Sequence, residues 1–80
     1  MNAEEVKSII TAKAAVTGFD TGTIEENTNL VGTGIFDSLQ FMDLLAALES
    51  KSGLEIDFSE LDPAEFTTFG FLVRYFGEKN

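Results

Sequence analysis

Apolar side chains recur at helical spacing from the start of the chain. Val6, Ile9, Ile10 and Ala14 follow i, i+3, i+4, i+8, which predicts an amphipathic helix from about Ala3 to Val16, ended by Gly18. From Phe19 to Phe36 the pattern is neither helical nor alternating. Thr, Gly and Asn dominate there, with Phe19, Ile24, Leu30, Val31, Ile35 and Phe36 scattered among them. Loops of this length are uncommon in compact domains and usually functional, so the expectation is an ordered crossover pinned to the core by those apolar residues.

Periodicity returns at Asp37. This residue, with Gln40 three positions later and an apolar run starting at Phe41, has the form of an N-cap with its capping-box partner. A second helix is predicted from Ser38 to about Lys51, ended by Gly53. Asp62, Pro63 and Glu65 then fit the N-cap, N1 and N3 positions of a short helix near Asp62 to Phe66. A last helix should begin near Thr67 or Thr68, carry Phe69, Leu72, Val73 and Phe76 on its inner face, and close at Gly77. Nothing alternates with period two, so no strand is predicted. The expected fold class is all-α: a small bundle of three amphipathic helices plus one short helix, with a long loop after the first, residues 1–80 forming one domain.

The second helix has one apolar face too many. At about 100° per residue, Phe41, Leu44, Leu45 and Leu48 form a compact stripe suited to the core. Leu39, Met42 and Ala46 form a second stripe, bordered by Asp43 and Glu49. Either another element covers it or it is exposed; an exposed apolar stripe edged by carboxylates suits a transient docking helix. Ser38 stands in the first turn, near the N-terminal end of both stripes. If Asp37 is the cap, the Ser38 hydroxyl is free to face solvent at a helix N-terminus, where a phosphate is well tolerated. The alternative, with Ser38 as the cap and Asp37 as a favourable acid beside it, fits the local pattern equally.

Composition narrows the chemistry. The 80 residues are 44% hydrophobic with a single proline, enough for one modest core and unlike a disordered tail. With neither cysteine nor histidine there is no disulfide framework, thiolate zinc site, cysteine nucleophile or imidazole base. Ser38 has no evident activating base, so an enzyme is not expected. A calcium loop starting at Asp20 fails, because its third, fifth and twelfth positions fall on Gly22, Ile24 and Val31. No apolar run approaches the roughly 20 residues that span a bilayer. The start of the chain, Met1 to Val6, lacks the pattern of a signal peptide, and the expectation is a cytoplasmic monomer.

Fourteen acids against five bases give a net charge of −9. The bases are Lys7, Lys13, Lys51, Arg74 and Lys79, leaving Ala14–Ser50 and Ser52–Val73 without positive charge. Such a chain should avoid nucleic acid and anionic lipid and meet partners with basic surfaces.

The run Gly34-Ile35-Phe36-Asp37-Ser38-Leu39, continuing through Gln40-Phe41-Met42-Asp43-Leu44-Leu45-Ala46-Ala47-Leu48-Glu49, resembles the Asp-Ser-Leu attachment segment and recognition helix of acyl carrier proteins. The helix with Val6, Ile9 and Ile10, the later Glu55-Ile56 and the Phe66-Thr67-Thr68-Phe69 segment occur in corresponding order in that family, so the resemblance covers nearly the whole chain. It implies that a phosphopantetheinyl transferase esterifies Ser38 with 4′-phosphopantetheine from coenzyme A, and that the arm carries an acyl or aminoacyl group as a thioester to loading and transferring enzymes. Asp37 and Leu39 would belong to the attachment motif. Leu39, Met42 and Ala46 would form the docking face, and Asp43 and Glu49 would meet basic partner residues.

Two residues separate Gly34 from Asp37, where many fatty-acid carriers have one, and Gln40 stands where many of them place an acid. The segment from Asp57 to Glu65 is also slightly longer, with an atypical Asp62-Pro63 pair. These departures point toward a specialised, D-alanyl or other aminoacyl carrier. Eight phenylalanines, with Phe41, Phe66, Phe69 and Phe76 on predicted core faces, would leave less room for a long acyl chain. An acidic helical interaction module without a prosthetic group would share the composition and the docking face.

Overall fold

The computed structural model describes residues 1–57, 59 and 61–77. The order is α1 (Ala3–Val16), a 3₁₀ turn (Thr21–Thr23), α2 (Ser38–Ser52), α3 (Pro63–Phe66) and α4 (Phe69–Gly77). The fold is all-α, as the periodicities predict. Among the described residues the only extended pairing is an isolated bridge between Asn29 and Thr68. Among the described residues, no helix is long and apolar enough to cross a membrane.

The predicted stripes form the interior. Val6, Ile10 and Ala14 of α1, Phe41, Leu44, Leu45 and Leu48 of α2, and Phe69, Leu72 and Phe76 of α4 are buried, joined by Leu30, Ile35, Phe36 and Ile56 from the connections. Each of the larger of these side chains contributes about 1.5–3 kcal/mol by leaving water, which offsets the cost of ordering the chain. Ile9 and Val73 are half-buried at the edges, and Phe66 stacks its ring on Phe41 at 6.3 Å. α1 packs most extensively on α4, while α2 lies against both.

Side chains set the starts of α1, α2 and α3. Asn2 begins α1 with a capping box, its Oδ1 accepting from Glu5 N–H at 2.9 Å. Asp62 caps α3 through Ala64 N–H at 2.9 Å. α2 ends at Gly53, in the left-handed region at φ 74°.

The long loop is ordered by pairing with the entry to α4. Leu30 N–H donates to Thr67 O at 2.8 Å, and Phe69 and Gly70 N–H donate back to Thr28 O at 3.0 Å and Glu26 O at 2.8 Å. Asn29 organises the join. Its Nδ2 donates to Thr67 Oγ1 at 2.8 Å, while its Oδ1 accepts from Val31 N–H at 3.0 Å and Gly32 N–H at 2.6 Å. Phe36 N–H then returns to Leu30 O at 2.9 Å, closing the segment that leads into α2. The later connection is held by two side chains: Glu49 Oε2 accepts from Ile56 N–H at 3.0 Å, and the Tyr75 hydroxyl donates to Glu55 O. Just beyond, the Ser59 hydroxyl and N–H both donate to exposed Asp57, holding its carboxyl below its ordinary pKa.

Gly70 is required by this packing. A Cβ there would stand 2.8 Å from Glu26 O, a backbone atom already bonded to Gly70 N–H.

Two substitutions test the join. Asn29→Ala strands two loop N–H groups and should cost about 2 kcal/mol, read as a fall in melting temperature of about 10 °C for a domain of this size. A melting curve superimposable on the wild type would contradict the role assigned to Asn29. Gly70→Ala should also destabilise, by about 1–3 kcal/mol from overpacking, although alanine is the better helix former by about 1 kcal/mol. Denaturant titration gives the sign directly.

Candidate functional site

Ile35 and Phe36 are buried, and the chain emerges from the core immediately after them at Asp37. Gly34 makes the preceding turn possible: its N–H donates to Val31 O at 3.0 Å with φ at 83°, a conformation that favours glycine. Asp37 is extended and closes both halves of a capping box. Its Oδ1 accepts from Gln40 N–H at 2.8 Å, and its own N–H donates to Gln40 Oε1 at 2.9 Å. Between the two capping readings the geometry therefore selects Asp37.

Ser38 is consequently the first helical residue, exposed, with no hydrogen bond engaging its hydroxyl among the described residues. The cap satisfies Gln40 N–H and the first helical bond takes Phe41 N–H to Asp37 O at 2.9 Å. The N–H groups of Ser38 and Leu39 are left without an acceptor among the described residues. An exposed hydroxyl beside two free donors at the positive end of a helix is compatible with a phosphodiester. No base is hydrogen-bonded to that hydroxyl within the described chain, so the arrangement can accept a group delivered by another protein without itself activating the nucleophile.

The second stripe of α2 lies in the open. Leu39 is 82% and Met42 54% exposed, and Ala46 and Asp43 are exposed beside them. Glu49 differs from its expected place as a freely exposed rim charge. It is half-buried, and its carboxylate is engaged by Ile56 N–H, so reversing its charge would disturb the fold as well as the rim. Ser38, Asp37, Leu39, Met42, Asp43 and Ala46 share the exposed side of one helix; Glu49 belongs equally to the join behind it.

Residues 7–76 match the family described as the phosphopantetheine attachment site. The chain belongs to the acyl carrier protein family. It is 33% identical over 75 residues to an acyl carrier protein of Thermotoga maritima, covering 94% of this chain and 86% of that protein. It is also 33% identical over 72 residues to an acyl carrier protein of Chlamydia caviae, covering 90% of this chain and 87% of that one. No solved structure is a significant match. As a member of the family the chain is a carrier of phosphopantetheine, not a catalyst, and works through a phosphopantetheinyl transferase and biosynthetic enzymes.

The two rim acids should separate in a stability measurement. Glu49→Ala leaves the N–H of buried Ile56 without its partner and should cost about 1–2 kcal/mol. Asp43→Ala, on an exposed surface, should change stability by no more than about 0.5 kcal/mol. Equal denaturant midpoints for the two variants would show that the Glu49 contact contributes nothing.

Proposed function

We infer that Ser38 is the residue that carries the 4′-phosphopantetheine arm. The observation that supports this is the exposed, unpartnered Ser38 hydroxyl at the first position of a helix already capped by Asp37. In the loading reaction Ser38 Oγ attacks the pantetheine-side phosphorus of coenzyme A. The pyrophosphate P–O bond breaks, 3′,5′-ADP leaves, and the serine proton passes to a base on the transferase. The arm then supplies the thiol that this cysteine-free chain lacks, and holds the cargo as a thioester.

Leu39, Met42 and Ala46 provide apolar contact to partner enzymes in this reading, and Asp43 and the outer part of Glu49 meet basic residues. Apolar contact supplies affinity; charge sets orientation and encounter rate. The cargo proposed is a short acyl or aminoacyl group. Support comes from the rings of Phe36, Phe41, Phe69 and Phe76, all buried, and from the spacing of Gly34 and Asp37, which differs from that of many fatty-acid carriers.

Mass spectrometry after incubation with coenzyme A and a broad-specificity phosphopantetheinyl transferase should show one pantetheine adduct, absent from Ser38→Ala. An unmodified wild-type chain across several active transferases would leave an acidic interaction module in its place. The thioester recovered from the native host would identify the cargo, and a long-chain fatty acyl group there would contradict the short-cargo reading.

A further inference from the structure

Three large apolar side chains stand exposed among the described residues, and one is not on α2. Val16, at the C-terminal end of α1, is 87% exposed, more than Leu39 or Met42. It is also not remote from them. Val16 lines a surface cleft of about 180 Å³ with Lys13 and Thr17 on one side and Phe36, Gln40 and Asp43 on the other. Asp43 is one helical turn from Leu39 on the same side of α2, so the cleft opens directly beside the exposed stripe.

The cleft carries one charge of each sign, ordered by helix. Lys13 lies on the α1 side and Asp43 on the α2 side, and neither forms an ion pair among the described residues. Its volume is below the roughly 300 Å³ at which small-molecule sites begin, a size suited to one inserted side chain, as at the anchor pockets of protein interfaces. A second copy of this chain is disfavoured as occupant, because both copies would carry a net charge of −9.

We propose that the enzyme delivering the phosphopantetheine arm docks across both helices. It places one apolar or aromatic side chain in the cleft between Val16 and Phe36, a carboxylate against Lys13 and a basic side chain against Asp43. The opposite charges across the cleft then fix the direction in which the partner lies, something the acidic surface alone does not specify. This rests on Ser38 being the attachment residue.

The test is the rate of adduct formation on the full chain with coenzyme A and a phosphopantetheinyl transferase, followed by mass spectrometry. Val16→Ser should lower kcat/KM about three- to tenfold, the worth of a partly buried valine, with circular dichroism and melting temperature unchanged. Lys13→Glu should lower it comparably, with the loss shrinking at high salt. Lys7→Glu makes the same charge change on the same helix beside a different cleft, with Glu25 and Glu26, and should stay within about twofold of wild type. Leu39→Ser reports the α2 face.

If Leu39→Ser is slow while Val16→Ser and Lys13→Glu match wild type, docking is confined to α2 and the proposal is overturned, with the Ser38 assignment intact. Equal losses in Lys7→Glu and Lys13→Glu would reduce the charge effect to net charge and remove the orienting role of Lys13. A wild-type dimer in sedimentation that Val16→Ser dissociates would assign the cleft to a second copy and overturn the proposal. No wild-type adduct at all would overturn the Ser38 assignment, and the proposal with it.

Discussion

The start of α4 is capped mainly by the long loop. A helix N-terminus leaves its first N–H groups without intrahelical partners, and water or a capping side chain usually takes them. Here Phe69 and Gly70 N–H donate to Thr28 O and Glu26 O, and only Phe71 N–H turns to a local side chain, Thr68 Oγ1 at 3.3 Å. The loop receives support in return, through Leu30 N–H to Thr67 O and Asn29 Nδ2 to Thr67 Oγ1. Two segments with unmet hydrogen bonds therefore satisfy each other. That exchange explains how so long a connection stays ordered with only a 3₁₀ turn of its own: Leu30 and Asn29 are tied to Thr67, and Leu30, Ile35 and Phe36 are buried in the core.

The consequence for the site is positional. The loop delivers Ile35 and Phe36 into the interior and Asp37 to the surface in consecutive residues, so the start of α2 is fixed by packing on one side and by a capping box on the other. Asp37 and Gln40 bond each other, leaving the Ser38 hydroxyl exposed at a rigid helix end. A group attached there would move freely while its point of attachment stays still. Phosphopantetheine carriers need this combination, because different enzymes must find the same atom in the same place.

What was legible in the sequence followed from short-range physics. The helices could be read because their apolar residues repeat at helical spacing and their caps lie within a few residues of what they cap: Asp37 with Gln40, and Asp62 with Ala64. The surplus stripe on α2 was legible for the same reason, since a helix needs only one core face. Asn29 was not, because its partner Thr67 is 38 residues away and nothing near Asn29 announces it. Glu49 read as a rim charge because its acceptor role appears only once the chain has turned at Gly53 and brought Ile56 back. Gly70 reads locally as a weak point in a helix; its reason is Glu26 O, far away in sequence. Ser38 and Asp37 were indistinguishable as caps because either side chain can bond a nearby N–H, and only geometry separates them.

The exposed apolar residues and the acidity belong to one design problem. Leu39, Met42 and Val16 could have been polar without loss to the core, since the residues that hold the fold are elsewhere. On the proposed docking role, their apolar surface would give a partner a small contact area, suited to a brief encounter. Association then has to be fast for turnover to be useful, and long-range attraction from a net charge of −9 toward basic surfaces raises the encounter rate more than it slows release. The same charge opposes self-association of the exposed apolar face, the hazard that such a face would otherwise create. On that role, acidity would make an exposed apolar surface both productive with partners and safe among copies, and a chain that carries its cargo from one enzyme to the next needs both.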